Sequence, residues 1–315
     1  MTISNYPRGF AHGVAIRGVP VDVPHPGKVF WVNNSSVLPE GGIGGSNGND
    51  GTYLRPFSTL DYAIGRCTAN RGDVIYVMPG HTETITSAAA IDFDIAGVKA
   101  IGLGHGSKMA EIEFNHASAT VAIGADNVVI ENLRFNATIT TVGAAIIVED
   151  GVDYAVIRGC LFDVDTAGTD EFTDCINFVN DNSYCVVEGC TMDMGIAAAV
   201  SAVHMDADTA FMKISGNVIR GDYSTACIVG DTTLSTNLLI EDNLLMNGIG
   251  GNVGTEPAIE LLTGTHGVIR RNDIVCNLAT KAASIVADTC FLFENYYNED
   301  VTGTGGIIGT ASADD

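Results

Sequence analysis

The sequence predicts an all-β chain wound as a right-handed parallel β-helix, a solenoid of about nine coils with an N-terminal extended arm and a short capping helix. Three observations carry this. A six-residue block recurs at intervals of 24 to 30 residues along most of the chain. Each block is too short for a helix and alternates like a strand, and a second strand-like run precedes most copies. The chain also holds 37 Gly against 8 Pro. With Asn, Asp, Thr, Val and Ile throughout, that mixture suits short strands joined by tight turns.

Four segments are expected: an arm over 1–34, a Gly-rich linker loop over 35–52, the solenoid over 53–300 and a C-terminal tail over 301–315. The arm holds the only Trp, Trp31, and short apolar pieces broken by Pro7, Pro20, Pro24 and Pro26. Its first ten residues show no apolar run flanked by cations, so no secretory signal is expected. The stretch Gly41 to Gly51 reads as a flexible loop; it lacks the Lys-Ser/Thr ending of a phosphate-binding loop. Ser58 or Thr59 can then cap a helix whose Leu60, Ala63, Ile64 and Cys67 form one apolar stripe.

The repeats follow. The clearest are Ile130–Phe135, Ile157–Phe162, Val187–Met192 and Ile214–Ile219, with further copies from Ile240, Ile269 and Leu292 or Phe293. Fainter copies start at Ile75 and Ile101. Ile130, Ile157, Val187, Ile214, Ile240 and Ile269 are expected to align as one internal ladder. One coil cannot bury either face alone, so stacking on its neighbours is required. Between the strands stand Asn132, Gly159, Gly189, Gly216 or Asn217, Asn243, Asn272 and Asn295. They are assigned to sharp turns, because left-handed backbone is cheap for Gly and tolerable for Asn.

Charge limits the partners. The net charge of −23 leaves no cationic footprint for nucleic acid, and an anionic membrane would repel the chain. No apolar run reaches the ~18 residues of a membrane span. The eight cysteines contain no CxxC pair, so they read as buried thiols with Cys160 and Cys190 stacked, and no metal or other cofactor is expected. Carboxylates crowd at Asp163, Asp165, Asp170, Glu171 and Asp174, and again at Asp206 and Asp208 beside His204. Such groups can hold calcium or hydrolyse glycosidic bonds, but in a chain with 38 acids solvated loops are the preferred reading. His81 is assigned to a turn.

Residues 51–64 (GTYLRPFSTLDYAI) and 71–80 (RGDVIYVMPG) resemble the opening of the pectate-lyase-like superfamily of parallel β-helices. That resemblance implies the fold and leaves function open, because the superfamily hosts lyases, hydrolases, adhesins and passive virion proteins. Its lyases use an Arg base and calcium held by Asp. Arg158, Arg220, Arg270 and Arg271 stand in no such motif, so no catalytic residue is carried over and no enzyme is expected. The N-terminal segment resembles the arms of tailed-phage virion proteins. It implies a capsid decoration or cement protein, a homotrimer on the capsid exterior bound to the major capsid protein and assembled in the host cytoplasm. Tyr6, Arg8, Phe10, Val14, Ile16, Arg17, Val19, Phe30 and Trp31 would make the capsid contact, since apolar anchors with Arg favour interface centres. The alternative is a tailspike-type protein that binds or depolymerises polysaccharide.

Overall fold

The computed structural model describes residues 15–16, 19–20, 27–35, 40–165, 169–195, 199–230, 232–248, 256–276, 278, 281–299 and 305–308. They form a parallel β-solenoid. Three sheets run its length, and each coil contributes one short strand to each sheet. The first sheet has ten strands, from Val29–Val32 to Phe291–Phe293. The second has ten, from Thr82–Ile85 to Gly305–Ile308, and the third has eight, from Ile91–Phe93 to Ile285–Val286. Eight coils are complete, between Val74 and Val286.

Alternation decides which side chains enter the core. In the first sheet Phe30, Ile75, Ala100, Ile130, Ile157, Val187, Ile214, Ile240, Ile269 and Leu292 are successive register partners. All but Leu292 are buried. The faint repeat therefore starts at Ala100, and Ile101 pairs with Tyr76 and Glu131 on the outward side. The second sheet adds Ile112, Phe135, Phe162, Met192, Ile219, Leu245, Ile274 and Tyr297. Within it the Phe135 and Phe162 rings stack at 4.9 Å.

The turn from first to second sheet takes the expected form in the earlier coils and a different one in the later coils. Asn132, Gly159, Gly189 and Gly216 adopt positive φ, but in the later coils Asp242, Arg271 and Glu294 do so. Asn217, Asn243, Asn272 and Asn295 each follow the left-handed residue and point inward, at most 1% exposed. Each of the first three donates its amide N–H to the next Asn Oδ1, at 2.9 Å, and to a strand carbonyl. A buried amide needs partners for both ends, and the stack supplies them.

The N-terminal end is plugged by the helix Leu60–Ile64, which buries Leu60, Ala63 and Ile64. Thr59 sits at its N-cap, but its hydroxyl accepts from the Asn47 amide at 3.0 Å and makes no cap bond. Glu83, on an inward position, accepts the Leu60 N–H at 2.9 Å instead. His81 is fully buried; its Nδ1 accepts the Asn34 N–H and its Nε2 lies 3.2 Å from Glu83. It ties the plug to the first coil, a larger role than a turn residue. The Gly-rich segment is packed on this end, with Ile43 N–H donating to Leu54 O and Ser46 N–H to Pro56 O. At the other end Gly305–Ile308 pairs antiparallel with Asn295–Glu299, so part of the expected tail closes the second sheet.

Candidate functional surface

Of the residues expected to contact a capsid, Tyr6, Arg8, Phe10, Val14 and Arg17 lie outside the described residues. Ile16 and Val19 pair across a short antiparallel hairpin. Phe30 and Trp31 belong to the solenoid. The alternating Val29–Val32 segment pairs with Val74–Val77 as the first strand of the first sheet, so the arm ends before residue 29. Phe30 turns inward against Phe57 and is 8% exposed, which removes it from any surface contact. Trp31 packs 5.0 Å from both Tyr53 and Tyr76. Lys28 N–H donates to Asp73, whose carboxylate also takes two bonds from Arg71. Burial opposes ionisation of Asp73, but these bonds and one from Thr68 N–H outweigh it and hold its pKa below the usual range.

Asp163 and the candidate arginines are held in ion pairs. Arg134 lies between Glu111 and Asp163, at 3.2 and 3.0 Å. Burial raises the pKa of both carboxyls, and Arg134 partly offsets it. A guanidinium wedged between two acids leaves no place for the water or leaving group that an acid–base pair must serve. Arg158 joins Glu131 and Glu188, Arg220 joins Asp193, and Arg270 and Arg271 share Glu241. Asp174 accepts the hydroxyl of buried Ser201 at 2.6 Å, with His204 at 3.6 Å on its other oxygen. That order, with Asp between Ser and His, does not activate a serine. Among the described residues no cluster of His, Cys, Asp or Glu is arranged to hold a metal ion, and no helix is long and apolar enough to cross a membrane.

All eight cysteines are unpaired thiols. Burial pushes Cys67 up to about 12 and Cys185, Cys276 and Cys290 to about 11, so these four offer no thiolate near neutrality.

The outward face of the first sheet is organised in columns. Lys99, Val129, Val156, Val186, Lys213, Leu239, Val268 and Phe291 form one column. Glu131, Arg158, Glu188, Ser215, Glu241 and Arg270 form a second, alternating in charge over its first three members. Two residues before the first column stand Tyr154, Tyr184 and Phe211, each between 44% and 48% exposed. Their rings stack at 4.9 and 4.7 Å, within 8° of parallel. All three have positive φ, which bulky residues rarely adopt, and Asn127 and Asn237 flank them with the same backbone. Beyond the second column, a shallow groove of about 670 Å³ runs past Arg158, Gly159, Glu188, Gly189, Ser215 and Gly216. The aromatic ridge escaped the sequence reading, although each ring stands three residues before a ladder residue.

No family model matches the chain, and no curated protein matches it. Among solved structures it is similar to a double mutant of the tailspike protein of E. coli bacteriophage HK620, at 13% identity and a TM-score of 0.39. The match covers 76% of this chain and 57% of that one. The parallel solenoid itself is established by the register of the three sheets.

Proposed function

We propose that the chain is a structural protein of a phage particle, a homotrimeric decoration or cement protein of the capsid exterior. Its N-terminal segment would hold the major capsid protein. The observation that carries this reading is the route of the N-terminal segment. It runs directly into the first strand of the solenoid, anchored by Phe30 in the core and Trp31 between two tyrosines. Whatever residues 1–26 grip is thereby coupled to a rigid body. The segment carries Phe10, Val14, Ile16 and Val19 with Arg8 and Arg17 in a chain that is otherwise strongly acidic. Such a mixture favours an interface with an acidic shell. The mutual pairing of arginines and carboxylates supports a body without catalytic duty.

The groove over the glycine turns favours the second reading, a tailspike-type protein that binds or depolymerises polysaccharide. Against it, the parallel rings of Tyr154, Tyr184 and Phe211 cover one another's faces, so sugar rings cannot stack between them.

Deletion of residues 2–26 spares the first strand and tests the proposal. The truncated protein should melt as cooperatively as the full chain and fail to sediment with capsids. Retention at full occupancy would place the anchor on the solenoid. Glycan capture or cleavage by the full chain, with no particle binding, would favour the second reading.

A further inference from the structure

We propose that copies of this chain associate with parallel solenoid axes through the outward face of the first sheet. The aromatic ridge of one copy would seat in the glycine-floored groove of the next. The inference rests on the trimeric part of the reading above and is independent of what the N-terminal segment grips.

The ridge shows the character of a contact element. Tyr154, Tyr184 and Phe211 keep left-handed backbone where the flanking coils use Asn, the residue that tolerates it. Their edges remain about half exposed although their faces are stacked. Strain held by large exposed apolar side chains in three consecutive coils points to a use for them.

The groove is shaped to receive such a ridge. Gly159, Gly189 and Gly216 lie in the same three coils, five residues beyond the three aromatics. Space above these glycines is open, since an added Cβ would meet nothing closer than 3.9 Å. Ridge and groove both repeat with the coil rise, about 4.8 Å. A neighbour with a parallel axis therefore presents one aromatic ring to each glycine turn. Because they occupy opposite edges of one sheet, the contact is head-to-tail, and with parallel axes it closes into a ring of three when each copy is turned by a third of a revolution from the last.

Charge selects a second copy as the occupant. A chain of −23 repels its own copies over most of its surface. On the outward strand positions of this face, from Lys99 to Arg270, four cations stand against three acids. This face can approach a copy with little like-charge repulsion, and its Val129, Val156 and Val186 supply apolar area between ridge and groove.

Light scattering on the full chain should return a mass of three copies, and Tyr184→Ser with Phe211→Ser should lower it to one copy with an unchanged melt. Cysteine pairing tests the geometry, because Tyr184→Cys and Glu188→Cys within one chain are too far apart to bridge. Under mild oxidation the double variant should form covalent oligomers, while each single variant stays monomeric on denaturing gels. A single-copy mass for the full chain at all concentrations would overturn the proposal. So would cross-linking of either single variant, which signals two-fold pairing, or a wild-type mass in the ridge variant. Self-association without particle binding would sink only the capsid reading; particle binding by a monomer would sink this inference and the trimeric part of that reading, and leave the capsid contact standing.

Discussion

The same turn position is solved differently in the two halves of the solenoid. In the middle coils Cys160 and Cys190 occupy the inward site, with thiols 3.9 and 3.7 Å from the carbonyls of Ile130 and Ile157. In the later coils Asn217, Asn243, Asn272 and Asn295 fill it and bond to carbonyls at 2.9 to 3.1 Å. Each Asn Oδ1 also accepts the backbone N–H of the coil before, as Asn217 does from Cys190 and Asn243 from Asn217. A thiol is a weak donor that packs like a small hydrophobe and needs little from its neighbours. An amide requires a complete set of partners, so the Asn stack specifies the register that the Cys pair merely permits.

The largest expected effect follows from breaking that stack in its middle. Asn243 donates to Ile214 O and Asn272 Oδ1 and accepts both the N–H and the Nδ2–H of Asn217. Asn243→Asp turns the donor end into an acceptor that faces two other acceptors, in a site 1% exposed. The cost should be about 3 to 5 kcal/mol, from one buried unpaired charge or a forced proton together with lost bonds. Equilibrium urea unfolding reads it directly. A loss below about 1 kcal/mol would mean that the stack contributes little.

The contrast also shows what a linear reading reaches. The inward column was legible from Ile130 to Ile269, because alternation within a strand and the coil interval are local patterns that packing reinforces. At Ile101 the pattern slipped by one residue: Ala100 is small enough to be overlooked beside an isoleucine, yet it holds the register position between Ile75 and Ile130. Asn132 does take the left-handed turn, whereas Asn243, Asn272 and Asn295 stand one residue past it, inside. Asn suits a left-handed turn and an internal amide stack equally, and only the third dimension separates the two. Arg271 and Glu294 at positive φ run against residue preference, and no propensity argument recovers them. Along the chain Val29–Val32 reads as part of the arm, because its partner strand lies 45 residues away. The aromatic ridge is not legible along the chain, because Tyr154, Tyr184 and Phe211 stand 30 and 27 residues apart and only the stacked coils bring their rings together.

A smaller effect of opposite sign is expected where the two solutions meet. Cys190→Asn would extend the amide stack by one coil. Its Nδ2 would replace the thiol near Ile157 O and gain Asn217 Oδ1, while its Oδ1 would face Cys160 N–H. One or two satisfied bonds replace a weak one, so the variant should gain about 1 kcal/mol. Thermal unfolding at a single pH is sufficient, and a loss of more than 1 kcal/mol would show that the middle coils cannot accept the added volume.

The smallest effect separates backbone strain from side-chain pairing at the left-handed residue itself. Arg271 holds φ of 53° where Gly216 stands two coils earlier with 65°. For a residue with a Cβ that conformation costs about 1 kcal/mol, and Arg271→Gly removes the cost in the folded state. The replacement also discards the contacts of the guanidinium with Asp242, at 2.7 Å, and with Glu241, at 2.9 Å. Arg271 and Asp242 are both well exposed, and exposed pairs contribute about 0 to 1 kcal/mol. Glycine further loosens the unfolded chain, which disfavours folding by a few tenths of a kcal/mol. The contributions nearly cancel, so Arg271→Gly should leave stability within about 0.5 kcal/mol at moderate salt. Raising the ionic strength screens the pair in the wild type alone, and the small difference should then move in favour of glycine. Urea unfolding at two salt concentrations measures both. A large loss that persists at high salt would show that Arg271 holds its turn by packing against Phe293, its backbone partner in the last coil, and not by charge.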